Sequence, residues 1–159
     1  MVLTTLPAIY LYTWKGFLEV CNMEDCIFCK IIRGEIPSAK VFETETVLAF
    51  LDINPVSKGH TLVIPKAHYD TFPEMPADVI AALGQALQKI GEAVKSKLNS
   101  AGFNILLNNE RAAGQLIDHA HFHLIPRNLG DGVMAWPPVR PYAEGEMEAV
   151  RAALESEVS

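Results

Sequence analysis

The chain has 159 residues, long enough for one domain with a substantial core. Hydrophobic residues make up 50%, charged residues 20%, and the formal net charge is −6, so no general basic surface invites nucleic acid or an anionic membrane. Three cysteines (Cys21, Cys26 and Cys29) do not make a disulfide framework; the close Cys26-x-x-Cys29 pair points to a reducing compartment, expected to be the cytoplasm, and to metal or redox use.

Residues 1–22, "MVLTTLPAIYLYTWKGFLEVCN", are apolar, but the uncharged run before Lys15 is only about half a membrane span. They carry neither a basic start nor an A-x-A-like cleavage site. Met23 opens "MEDCIFCKIIRGEIPSAK", which reads as a natural start. The expectation is therefore an N-terminal extension or misassigned start over 1–22 and a domain over 23–159, with an arm packed on that domain as the alternative. "CIFCKIIRG" predicts a short helix with Ile27, Ile31 and Ile32 on one side, stopped by Gly34 and Pro37. "AKVFET", "TVLAFLD" and "HTLVIP" predict three strands, the last two separated by the loop "NPVSKG". From 77 to 98, Val79, Ile80, Leu83, Leu87, Ile90, Val94 and Leu98 recur at three- and four-residue steps, the signature of an amphipathic helix. "FNILLN" predicts strand four, "NERAAGQ" a loop, "HAHFHLIP" strand five, and Glu146–Glu155 a last helix. Helix, three strands, long helix, two strands, helix is the order of an α+β domain: an antiparallel sheet with helices on one side.

Three of the five histidines lie at alternate positions in "DHAHFHLIPR": His119, His121 and His123. On a strand such residues share one face, and the interleaved Ala120, Phe122 and Leu124 make the other face apolar. A merely solvated face would more usually carry Lys, Thr, Glu and Arg. A single three-histidine metal site meets a distance problem, because the outer two residues of a regular strand lie about 13 Å apart while zinc–nitrogen bonds are only about 2.0–2.1 Å. The third reading divides the work: one neutral imidazole acts as nucleophile on a phosphate while the others orient it or contact the substrate.

"HAHFHLI" resembles the signature of the histidine-triad family. The similarity continues through "DCIFCKIIRGEIPSAKVFETETVLAFLDINPVSKGHTLVIPKAH" and "FNILLNNERAAGQLIDHAHFHLIPR", covering nearly all of residues 24–142. It is strongest to the Hint-type, nucleotide-binding branch in its zinc-containing, bacterial-like form. The resemblance implies a five-stranded antiparallel sheet paired into a homodimer, and hydrolysis of nucleoside phosphoramidates or similar nucleotidyl conjugates. A dinucleoside polyphosphate hydrolase and a nucleotide-sensing or scaffold protein are the alternatives. Neither nucleic acid nor membrane is an expected partner.

By position, the resemblance makes His121 the nucleophile, forming a covalent nucleotidyl-histidine, and His123 the residue that contacts the phosphate. Gly114 and Gln115 would add a backbone N–H and a side-chain amide for phosphate oxygens, and Asn108 matches a nucleotide-contacting position. Many relatives carry serine after the glutamine, where this chain has Leu116. Asp52 would accept the ribose hydroxyls, with Phe28, Ile31, Phe50 and Ile53 around the base; by pattern alone these four read as core. Trp136, in "AWPPVRPY", matches a tryptophan that reaches the neighbouring subunit's site, and otherwise reads as a surface aromatic. The resemblance also implies a structural zinc held by Cys26, Cys29, His68 and His119, with His60 supporting the triad by hydrogen bonding.

Overall fold

In a computed structural model, residues 23–133 and 139–158 are described. The extension expected over 1–22 and the expected contact of Trp136 lie outside them. The element order is α1 (Ile27–Ile32), β1 (Lys40–Glu43), β2 (Val47–Leu51), β3 (Thr61–Pro65), α2 (Ala77–Leu98), β4 (Gly102–Leu107), β5 (Phe122–Arg127) and α3 (Glu146–Val158). Short 3-10 turns occupy Phe72–Glu74 and Arg111–Ala113.

The five strands pair antiparallel throughout, in the order β1-β2-β3-β5-β4. This places β5, the histidine strand, between β3 and β4, with His123 opposite Leu62 on one side and Leu106 on the other. Alternation divides the strands' side chains between two faces. Val47, Ala49, Val63 and Leu124 join a core with Leu83, Leu87, Ile90 and Val94 of α2. Leu48, Phe50, Leu62 and Ile64 form a second core with Phe28 and Ile31 of α1. At about 1.5–3 kcal/mol for each fully buried aliphatic or aromatic side chain, these two layers hold the sheet from both sides.

The helices therefore do not share one side of the sheet: α2 covers one face and α1 the other. In α1 the buried face is Phe28, Cys29 and Ile31, while Ile27 is exposed. Six residues make too few turns for the isoleucine spacing alone to fix which side faces inward. The long helix runs as its periodicity predicts. Pro76, extended, precedes it; Asp78 in the first turn and Lys95 and Lys97 in the last suit its dipole; Asn99, at φ 53°, ends it in the left-handed conformation. No helix among the described residues is long and apolar enough to cross a membrane.

Strand five begins three residues later than "HAHFHLIP" predicts, at Phe122. Ala120 N–H donates to the Tyr69 carbonyl (2.7 Å) and His119 N–H to that of Ile117 (2.9 Å), so the segment before Phe122 is held by loops. The alternation survives outside the ladder: Ala120, Phe122 and Leu124 pack with the α2 core, whereas His119 and His121 both meet the ring of Phe28 from α1.

Candidate active site and metal centre

Main-chain partners assign the protons on His121 and His60 directly, and on His123 through His60. His121 Nδ1 lies 2.7 Å from the His119 carbonyl, which can only accept, so Nδ1 carries the hydrogen and Nε2 keeps its lone pair. Val56 N–H lies 3.2 Å from His60 Nδ1 and can only donate, so His60 carries its hydrogen on Nε2. That nitrogen is 3.0 Å from His123 Nδ1 and donates to it, leaving His123 with its hydrogen on Nε2. The result is a nucleophilic nitrogen on His121 beside an N–H donor on His123, with ring centroids 4.9 Å apart.

Burial keeps these rings neutral. Desolvation pushes His121 below the ordinary histidine value, against the opposing bond to the His119 carbonyl and the charge of Asp52. Desolvation, then His121 and His60, pushes His123 down to about 4. His60 is lowered by burial as well, with Asp52 opposing. Near pH 7 a neutral imidazole with a free lone pair is the form that attacks phosphorus.

Asp52 stands at the edge of this group. Its Oδ1 accepts the Asn54 N–H at 2.8 Å and its Oδ2 lies 3.5 Å from His60 Nδ1, leaving acceptor capacity for another donor. Phe28 and Phe50, with centroids 5.7 Å apart, and Ile31 are buried together in the α1 core. Ile53 is not brought to them; its residue is 90% exposed. Asn108 and Gly114 are neighbours, since a Cβ on Gly114 would lie 3.7 Å from Asn108 Nδ2; Gly114 itself sits at φ 89°, where glycine is favoured.

Gln115 corrects the sequence expectation. Its side-chain amide does not face outward for a phosphate. Nε2 donates to the carbonyls of Asp70 (2.6 Å) and Ile117 (3.0 Å), and Oε1 accepts the Glu110 N–H (2.6 Å). At 1% exposure, the residue is an internal brace for the loop that precedes the histidines.

A second cluster lies behind the triad. Cys26, Cys29, His68 and His119 offer four ligand atoms, all within 4.8 Å of one another. His119 Nδ1 is 3.5 Å from Cys26 Sγ and 3.8 Å from Cys29 Sγ, and His68 Nδ1 is 3.4 Å from Cys29 Sγ. A tetrahedral zinc with ordinary bond lengths places sulfur and nitrogen ligands about 3.6 Å apart, so the donor set fits. The outer nitrogens fit too. His119 Nε2 donates to the Pro65 carbonyl (3.0 Å) and His68 Nε2 pairs with Asp70 Oδ1 (2.8 Å), turning both Nδ1 atoms inward. Burial pushes His119 down to about 4, so it is neutral and ready to ligate. Asp52, His60 and His123 also converge within the same distance, but they are the hydrogen-bonded partners already described.

Sequence reasoning missed Asp70, Val56 and Arg111. Asp70, two residues after His68, could have been sought as the carboxylate that orients a metal-binding histidine. Val56 acts through its main chain and left no sequence signal. Arg111, in a glycine-containing loop, donates to the carbonyls of Gln115 (3.3 Å) and Leu116 (2.8 Å) and pairs with Asp118 (2.9 Å).

Comparison with known proteins gives the family. The chain is 58% identical over 107 residues to an uncharacterised HIT-like protein of Methanocaldococcus jannaschii, covering 67% of this chain and 82% of that one. It is 46% identical to an adenylylsulfatase of Arabidopsis thaliana, covering 80% and 66% of the two chains. It is 44% identical to an adenosine 5'-monophosphoramidase of Candida albicans, covering 70% and 78%. Among solved structures, a HIT family protein of Bacillus subtilis superposes with a TM-score of 0.78 at 42% identity, covering 86% of this chain and 99% of that one. A zinc-bound histidine triad family protein of Mycobacterium smegmatis gives 0.67 at 36% identity, covering 84% and 95%. The HIT domain family model matches residues 33–130, and the chain belongs to that family, with Hint-type relatives.

Proposed function

We propose that the protein is a nucleotide-binding hydrolase that cleaves nucleoside phosphoramidates or related nucleotidyl conjugates at the α-phosphorus, through a covalent nucleotidyl-His121. The observation that carries this reading is the proton arrangement: His121 keeps a buried, neutral Nε2 lone pair because its Nδ1–H is committed to the His119 carbonyl. The names of two relatives, an adenylylsulfatase and an adenosine 5'-monophosphoramidase, support the substrate class.

In this mechanism His121 Nε2 forms a bond to phosphorus as the phosphorus–nitrogen bond to the leaving amine breaks, and the amine takes the bonding pair and a proton from water. The phosphorylated imidazole is then cationic, and its Nδ1–H bond to the His119 carbonyl stabilises that charge. Water next displaces His121 and releases the nucleoside monophosphate. His123, holding its proton on Nε2 through His60, donates to phosphoryl oxygen as charge develops there. Asp52 accepts the ribose hydroxyls, the exposed Ile53 beside it covers the base over a floor backed by buried Phe28 and Phe50, and Asn108 and Gly114 border the phosphate. Leu116, 77% exposed, gives the leaving-group side an apolar surface.

Cys26, Cys29, His68 and His119 hold zinc in this reading, tying α1 to the segment before β5; when bound, zinc supplies a structural cross-link and takes no part in the displacement. The protein acts as a homodimer: β4 is an edge strand whose Ile105 and Leu106 are 45% and 47% exposed, a surface that a partner strand would cover. The test is nucleoside monophosphate release from adenosine 5'-phosphoramidate, beside diadenosine polyphosphate. Fast release from the phosphoramidate supports the reading. Preference for the dinucleotide, or nucleotide binding without turnover of either, overturns it.

A further inference from the structure

The loop between β4 and β5 holds a backbone conformation that its sequence does not favour. Glu110 sits at φ 67° and ψ 167°, a region that essentially only glycine occupies without strain. Such a residue persists only where its surroundings hold it, and two side chains do so here. Gln115 braces the loop from inside, as described above. Arg111 holds it from outside, with one guanidinium nitrogen on the carbonyls of Gln115 and Leu116 and the other on the Asp118 carboxylate.

A trans peptide points its N–H opposite to its carbonyl. With the carbonyls of residues 115 and 116 drawn to Arg111, the N–H groups of Leu116 and Ile117 both point away from it. Neither N–H has a hydrogen-bond partner among the described residues. Successive N–H groups turned to one side form a concavity that binds anions. The Ile117 side chain packs with the same core as Phe28, whose ring meets His121 at 5.2 Å, so this loop borders the nucleophile's side of the sheet.

We propose that Arg111 is a positioning residue, which orients the Leu116 and Ile117 N–H groups as a cradle for a phosphoryl oxygen in place of the hydroxyl that Leu116 lacks. The inference rests on the phosphate-directed reading of His121. It assigns the exposed guanidinium to the loop and not to the substrate. Its fork suits that work, because one planar group meets two carbonyls and a carboxylate, whereas a lysine ammonium has no such geometry.

The experiment measures binding of adenosine and of AMP to the wild-type protein and to Arg111→Gln, Arg111→Lys and Asp118→Asn, with steady-state kinetics on adenosine 5'-phosphoramidate. Both Arg111 variants should bind AMP about tenfold more weakly and lose kcat by tenfold or more, while adenosine binding stays within about twofold and lysine fails to rescue. Asp118→Asn, which removes one arm of the clamp, should weaken AMP binding in the same direction by a smaller factor. Equal losses for adenosine and AMP would show general disruption and overturn the inference. Rescue by lysine, or tighter AMP binding in Asp118→Asn, would mean that the guanidinium contacts the anion directly, and would overturn it too. A wild-type protein that binds AMP while Arg111→Gln binds it equally well refutes the clamp alone. A wild-type protein that neither binds AMP nor turns over refutes the phosphate reading together with it.

Discussion

Gln115→Ala separates an internal brace from a substrate contact. The wild-type side chain makes three hydrogen bonds, at 2.6, 3.0 and 2.6 Å, in a position 1% exposed. Alanine leaves the Asp70 and Ile117 carbonyls and the Glu110 N–H without those partners. At about 1 kcal/mol net for each bond the loss is about 3 kcal/mol, which for a domain of this size lowers Tm by roughly 10 °C. The damage should reach the Cys26, Cys29, His68 and His119 cluster, because the Asp70 main chain is pinned by Gln115 while its carboxylate orients His68. The assay is thermal unfolding followed by circular dichroism, beside elemental analysis of the purified variant. Gln115→Glu is the control: it keeps an acceptor for Glu110, cannot donate when ionised, and should be at least as destabilised. An unchanged Tm with reduced turnover would refute this reasoning and return the amide to the substrate.

Glu110→Gly should raise stability by about 1 kcal/mol, because relief of the strain at φ 67° exceeds the extra chain entropy of glycine; a lowered urea midpoint would contradict the strain. Acid should destabilise the fold through His123. Its folded pKa, about 4, lies below the ordinary 6.5, so the unfolded chain takes up the proton first as pH falls. The contribution of His123 is full above about pH 6.5, falls by on the order of 1 kcal/mol between pH 7 and 5 once its partial exposure is allowed for, and levels off below the folded value; equal urea midpoints at pH 7 and 5 would contradict this. Cys26→Ser should lose zinc by elemental analysis and unfold at lower temperature, and a wild-type protein purified without any zinc would remove the basis of that prediction.

How much was legible in the sequence depended on how local each signal was. The α2 stripe recurs over six turns and faces one apolar layer, so both of its ends were readable. The two faces of the histidine segment were also readable, because Ala120, Phe122 and Leu124 alternate with the imidazoles over the whole stretch. Where the ladder starts was not, since His119 and Ala120 are held by Pro65, Tyr69 and Ile117 through contacts that composition does not announce. The inward turn of Gln115 depends on a carbonyl 45 residues away. The Val56 N–H that assigns the protons on His60 and His123 is a main-chain group, identical in almost any residue. Cys26, Cys29, His68 and His119 were named from the family resemblance, and only three dimensions supply the inward-facing Nδ1 atoms and their outer partners.

The most direct test of the central claim is to trap the intermediate. The protein would be mixed with adenosine 5'-phosphoramidate, quenched within milliseconds under alkaline conditions that preserve phosphohistidine, digested, and analysed by mass spectrometry. The account predicts an adenylyl group on the peptide that contains His121, localised to that residue and lost in His121→Ala together with turnover. An adduct on another residue, or full turnover by His121→Ala, would contradict it.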